Sequence, residues 1–254
     1  MLVDYHVHTL GHDAFYVEES EIARYYETAL ARGVKELGIA DHDYYYTHFR
    51  PERILAQARR FPELTVRVGI EVDYIPGREA EIRALLGAQP LDFVIGSVHQ
   101  VDGFSFDEEK DVPKYAAWET TALFRRYFAH VARAAESGLF DIIGHLDLIK
   151  IFNFVPAEDM VALAEPALAG IRRAGTCLEL NTNGRYKPVH EFYPAQALLA
   201  RCHEEGIPLT LGSDAHAPEQ AGRDIAAAAA LARRAGYTAV ATFQGRRRTL
   251  VPLG

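Results

Sequence analysis

Residues 2–8 read Leu2-Val3-Asp4-Tyr5-His6-Val7-His8, a short β-forming run with two imidazoles at its end. The two-residue period of a strand turns His6 and His8 to one face, a geometry suited to chelating a metal ion. With 11 histidines in 254 residues, about 0.5 occurrences of His-x-His are expected by chance, so the pair alone decides little. What decides is that the pattern returns. Six further β-rich runs follow, at 34–40, 65–72, 92–97, 141–144, 177–180 and 208–211. Most lead into histidine or carboxylate: Asp41-His42 after the second strand, Glu71 in the third, His99 after the fourth, His145 after the fifth, and Asp214 with His216 after the last. Core packing gives no reason to place polar groups at the same end of strand after strand. Barrel enzymes, by contrast, collect their catalytic groups at the carboxyl ends of the strands.

Between these runs, the amphipathic stretches 19–31, 51–60, 113–137, 156–174, 194–205 and 218–235 read as helices. Several open on a proline in the first turn, where its missing N–H costs nothing. In the longest, Leu123, Tyr127 and Val131 recur at four-residue spacing beside Phe124 and Phe128, an apolar stripe for packing on a sheet. This alternation predicts an α/β fold of repeated β-α units around a parallel sheet. About 250 residues is what one α/β barrel takes, and no repeat or low-complexity linker divides the chain, so one domain over 1–254 is expected. An eighth strand is possible at 238–242. Residues 100–111, QVDGFSFDEEKD, are acidic, aromatic and without periodicity; they form either a functional loop or a solvated excursion.

Lys plus Arg number 27 against 35 Asp plus Glu, a formal charge of -8, which argues against a broad nucleic-acid surface and for a small-molecule partner. The amino terminus lacks the basic start and apolar stretch of a signal peptide, and the alanine-rich run 225–232 is too short to span a bilayer. No membrane association and a cytoplasmic location are therefore expected. Nothing in the sequence bears on oligomeric state. Cys177 and Cys202 are too few for a disulfide framework and are expected as buried thiols. The strand-end donors are imidazoles and carboxylates without cysteine, a set that suits Zn, Mn or Fe in a catalytic site. His12, four residues beyond His8, either reaches the same cavity or lies on the surface.

The segments DYHVHT (4–9), ADH (40–42), GIEVDY (69–74), DFVIGSVH (92–99), GFSFD (103–107), IGHLDLIK (143–150), LELNTNG (178–184) with EFYP (191–194), and GIPLTLGSDAHAPE (206–219) span nearly the whole chain. In order and spacing they resemble the PHP (polymerase and histidinol phosphatase) superfamily, and within it the monofunctional histidinol phosphatases of bacterial histidine synthesis. The resemblance implies a distorted, TIM-like (β/α)7 barrel holding three divalent metal ions. His6, His8, Glu71 and Asp214 would form one site. Glu71 would bridge to a second completed by His99 and His145, and His12, His42 and His216 would hold the third. The implied activity is phosphomonoester hydrolysis of histidinol phosphate. Another small phosphate ester, a phosphodiester, or a non-catalytic metal-binding module are the alternatives.

Ions in such a cluster make a hydroxide nucleophile available near neutral pH and clamp the phosphoryl oxygens, so Glu71 and Asp214 count as catalytic as well as ligating. Asp41, beside His42, is a general acid or an orienting group. Lys150, Arg185 and Lys187 follow the fifth and sixth strands and are the candidate phosphate-binding cations. Here the chain departs from the family, which commonly reads GLRKP where this sequence has Gly184-Arg185-Tyr186-Lys187-Pro188; the arginine stands one position earlier. For the amine and imidazole of histidinol, Asp102, Asp107, Glu108 and Tyr44 to Tyr46 are candidates. His48, His130, His190 and His203 are expected at the surface or behind the ligands.

Overall fold

In the computed structural model, which describes residues 1–10, 17–88 and 90–253, β1 (Leu2–Val7), β2 (Val34–Ile39), β3 (Thr65–Asp73) and β4 (Phe93–Ser97) run parallel and side by side. A small antiparallel hairpin, β5 (Gln100–Val101) and β6 (Phe104–Ser105), leaves the end of β4. The parallel sheet then continues with β7 (Ile142–Ile143), β8 (Cys177–Asn181) and β9 (Leu209–Gly212), seven strands in chain order. Its two edges meet: His8 N donates to Ala215 O at 2.7 Å and Ala215 N to His6 O at 3.2 Å. Buried Asp4 secures this seam, accepting from Ser213 N (2.8 Å), Ser213 Oγ (2.6 Å) and Gly222 N (2.8 Å). The result is the nearly closed, distorted (β/α)7 barrel that the sequence implied. Its strands are buried almost throughout, as parallel strands covered on both faces must be.

The pairing of β1 with β2 shifts register between Asp4 and Val7. A shift of this kind re-aims consecutive side chains. Tyr5 packs edge-on against Phe93 (4.9 Å) and Phe243 (5.5 Å), while its neighbour His6 reaches the carboxylate of Glu179 on β8. The Phe93 ring fills the amino end of the barrel so tightly that a Cβ on Gly69 would stand 2.4 Å from it. One strand thus contributes both to the apolar plug and to the polar cluster.

The helices are α1 (Glu19–Ala31), α2 (Pro51–Ala58), α3 (Glu79–Leu86), α4 (Thr120–Glu136), α5 (Met160–Ala174), α6 (Gln196–Glu204) and α7 (Ile225–Arg234). The expected helix over 113–137 is two elements. A 3₁₀ segment, Glu109–Ala117, contains Pro113, and α4 starts afresh where the Glu119 carboxylate accepts from Thr121 N (3.0 Å) and Ala122 N (2.7 Å). That cap satisfies two of the N–H groups every helix start leaves open. Leu123, Phe124, Tyr127, Phe128 and Val131 are buried along α4, each worth about 1.5–3 kcal/mol of apolar burial. α5 likewise begins later than expected, capped by Asp159 on Val161 N, and α3 was not anticipated. No helix among the described residues is long and apolar enough to cross a membrane.

The possible eighth strand does not join the barrel. β10 (Ala239–Gln244) pairs antiparallel with β11 (Arg247–Pro252) in a separate hairpin. Phe243 N donates to Tyr5 Oη at 2.6 Å, Thr210 Oγ1 to Ala241 O at 3.0 Å, and Arg246 N to Asp92 O at 2.8 Å. These contacts seat the hairpin at the amino ends of the strands, opposite the histidines. Residues 100–111 are also more ordered than expected, because Asp102 (φ 50) and Gly103 (φ 84) form the tight turn that joins β5 to β6.

Candidate metal centre

Glu71, at the carboxyl end of β3 and 1% exposed, is the hub of the site. Its Oε2 lies 3.3 Å from His6 Nε2, 3.6 Å from His8 Nε2 and 2.9 Å from His42 Nδ1. Its Oε1 lies 3.1 Å from His145 Nε2 and 3.6 Å from His99 Nε2. Asp214 Oδ1 faces His8 Nε2 at 3.5 Å, His6 Nε2 at 3.8 Å and His216 Nδ1 at 3.5 Å. Two ligands about 2.1 Å from a tetrahedral ion stand about 3.4 Å apart, so these separations are those of donors around a shared cation.

Among the described residues the donors fall into three groups: His6, His8 and Glu71; Glu71, His99 and His145; and His8, His42 and His216. The first two lie within the sets expected from the sequence. In the third, His8 stands beside the expected His42 and His216, its ring centroid 4.3 and 4.2 Å from theirs. His12 lies outside the described residues.

The protonation of this cluster argues for cations. Glu179 Oε1 is 2.7 Å from His6 Nδ1, which holds a proton on that nitrogen and turns Nε2 toward Glu71 and Asp214. His6 Nε2 and both ring nitrogens of His8 are buried with no hydrogen-bond partner among the described residues. Leaving such a group unsatisfied costs about 1–3 kcal/mol, and a Lewis acid would satisfy it. Burial opposes ionisation of Glu71 and Asp214, yet the facing imidazoles hold both carboxyls well below the usual range. Burial likewise works against a charge on His6, but Glu179, Glu71 and Asp214 hold it well above its ordinary value. Burial, together with His216 and His42, pushes His8 well below its own. The histidine and carboxylate donors, with no cysteine, fit a catalytic divalent ion such as Zn, Mn or Fe.

Several groups behind the donors escaped the sequence reading. Glu179 also accepts His145 N at 2.8 Å, and Asp73 Oδ1 lies 3.4 Å from His99 Nδ1. Asn181 and Asn183 each donate to Asp214 Oδ2 at 3.3 Å. The signal was present: Glu179 and Asn181 are two apart on β8, Glu71 and Asp73 two apart on β3, and the strand period puts each pair on one face. Gly212 makes room for Glu179, since a Cβ there would lie 1.9 Å from its Oε1 and 2.7 Å from His6 Cβ. Gly212→Ala is therefore expected to weaken metal affinity about 10- to 100-fold, the usual cost of losing a group that orients a ligand. Metal titration of the variant measures it.

The three expected phosphate-binding cations are not together. Lys150 is 2% exposed and already committed, with Nζ 3.0 Å from Asp147 Oδ2, 2.8 Å from Glu191 Oε2 and 3.1 Å from Phe192 O. Arg185 pairs with Asp224 at 3.3 Å and lies over Phe192, away from the cavity wall. Of the three, only Lys187 lines the cavity of about 750 Å³ that opens over Glu71, His99, His145, Asp214 and His216, where Lys110 also stands, and Lys187 has no ion pair among the described residues. Asp41 also points elsewhere. Its carboxylate accepts from Thr9 Oγ1 and Leu10 N, both at 2.8 Å, and lines a neighbouring cavity with Val17 and Ile22. Its backbone carbonyl accepts Glu71 N at 3.1 Å. The contacts with Thr9 and Leu10 tether the segment leading out of β1.

The PHP domain family model matches residues 4–183. A probable histidinol-phosphatase of Deinococcus radiodurans is 38% identical over 262 residues, covering 97% of this chain and 98% of the relative. The histidinol-phosphatase of Lactococcus lactis is 26% identical, covering 96% and 94%. Among solved structures, the Lactococcus lactis histidinol phosphate phosphatase complexed with zinc, L-histidinol and phosphate shares the fold, with a TM-score of 0.77 over 98% of each chain at 23% identity.

Proposed function

The chain belongs to the PHP family, and from that premise we propose that it is a histidinol-phosphatase, releasing phosphate from L-histidinol phosphate in histidine biosynthesis. The observation that carries this reading is the position of Glu71, whose two oxygens face separate imidazole groups at the base of an open cavity. The activity named for the Deinococcus and Lactococcus relatives and the ligands named for the Lactococcus structure support the choice of ester.

We assign three divalent ions, Zn, Mn or Fe, to His6, His8, Glu71 and Asp214; to Glu71, His99 and His145; and to His12, His42 and His216, with His8 beside the last. When bound, such ions supply a hydroxide nucleophile near neutral pH and stabilise charge on the phosphoryl oxygens. The chain's own work is to hold the donors still. Glu179 fixes the tautomer of His6, Asp73 orients His99, and Asn181 and Asn183 orient Asp214. Lys187 meets the phosphate from the cavity wall. Lys187→Ala is accordingly expected to lower kcat/KM about 10- to 100-fold, whereas Arg185→Ala changes it less than about threefold, a contrast that steady-state kinetics reads directly.

The proposal is tested in a histidine-requiring strain that lacks its own histidinol-phosphatase. Expression of this chain restores growth without histidine. Failure to do so, with the protein present and metal-loaded, would count against the assigned substrate.

A further inference from the structure

We propose that Asp107 receives the substrate's ammonium group and is the residue that selects amino-alcohol phosphates; this rests on the phosphatase reading above. In histidinol phosphate the amine sits on the carbon next to the ester carbon, which keeps its nitrogen within about 4 Å of the ester oxygen. Its partner must then line the same cavity as the histidine cluster. Six carboxylates among the described residues do so; four already face a partner and a fifth, Glu109, is exposed to solvent. Glu71 and Asp214 face the imidazoles. Asp73 is held by His99 through Nδ1 and the backbone N–H, both at 3.4 Å. Glu108 is exposed and 3.3 Å from Lys110 Nζ, and Glu109 is exposed where the 3₁₀ segment begins. Asp102, which the sequence offered equally, is outside the cavity and bound by Arg126, with His130 at 3.6 Å.

Asp107 remains. It is half-buried just after β6, lines the same cavity as His99 and His145, and makes no ion pair among the described residues. A carboxylate withdrawn from water without a cation carries a desolvation cost that an arriving ammonium offsets. Burial pushes its carboxyl above the usual range, while His99 and His145 pull it back. Of the six, Asp107 is thus the one both withdrawn from solvent and without an ion pair among the described residues.

The test compares histidinol phosphate with its amine-free counterpart, 3-(imidazol-4-yl)propyl phosphate, on wild type, Asp107→Asn and Asp107→Glu, with metal content measured for each. The wild type is expected to prefer the aminated ester by about 10- to 100-fold in kcat/KM. Asp107→Asn, at wild-type metal content, loses most of that preference, chiefly through KM, and Asp107→Glu keeps part of it. An Asp107→Asn enzyme that retains the wild-type preference overturns the assignment. Wild-type turnover of neither ester would instead remove the phosphatase reading itself, so the two failures are distinct.

Discussion

Glu71→Gln is expected to lower kcat/KM for histidinol phosphate by about 10³-fold or more, about 4 kcal/mol of transition-state stabilisation. Both oxygens of Glu71 are engaged, one toward His6, His8 and His42 and the other toward His99 and His145. The isosteric amide keeps the shape but removes the charge and turns one end into a donor facing imidazole nitrogens. Among the described residues, the other carboxylates facing these imidazoles are already engaged, Asp214 with His6, His8 and His216, Glu179 with His6, and Asp73 with His99. Elemental analysis of the purified variant is expected to find fewer ions per chain than in the wild type. A variant with full metal content and near-normal turnover would mean that Glu71 is not the bridge.

Removing metal from the wild type is expected to abolish turnover and lower the thermal midpoint together. An ion present at about a thousand times its dissociation constant contributes about 4 kcal/mol to stability. For a chain of this length that corresponds to a fall of about 10 °C per strongly held site. The physical source is the buried cluster, where His6 Nε2 and both nitrogens of His8 have no hydrogen-bond partner among the described residues and lie beside two buried carboxylates. Taking the ions away leaves those groups to be satisfied by protons or by local opening. Chelation followed by a melting curve, then re-addition of Zn or Mn, measures both effects. Unchanged midpoint and activity after complete removal would contradict the assignment.

The barrel was legible because its signal is repeated. The first to fifth and the last strands each carry or lead into a donor residue, and a run such as 92–99 carries both the buried β pattern and the terminal histidine. Where the signal was single it misled. Residues 238–242 look like another strand, but only the pairing of Ala239–Gln244 with Arg247–Pro252 reveals a hairpin at the opposite end. Pro113 reads equally well as the start of a helix or as an interruption before one, and the Glu119 cap decides between them.

Within the site, His and carboxylate donors were readable because few other roles explain them at strand ends. Groups that act through those donors were not. Glu179 and Asp73 resemble any other strand acid until His6 and His99 are seen beside them. Lys150, Arg185 and Lys187 are equivalent in sequence, and only burial and pairing separate the committed cation, the peripheral one and the one facing the cavity. Asp41 follows the same rule, since adjacency to His42 in the chain says nothing of which side its carboxylate takes.

The most direct test of the whole account is kcat/KM for phosphate release by the metal-loaded protein from histidinol phosphate, beside a panel of small phosphomonoesters and a phosphodiester. A preference of about 10³-fold or more for histidinol phosphate is expected, equivalent to about 4 kcal/mol of discrimination. Uniformly slow turnover across the panel, or faster cleavage of the diester, would contradict it.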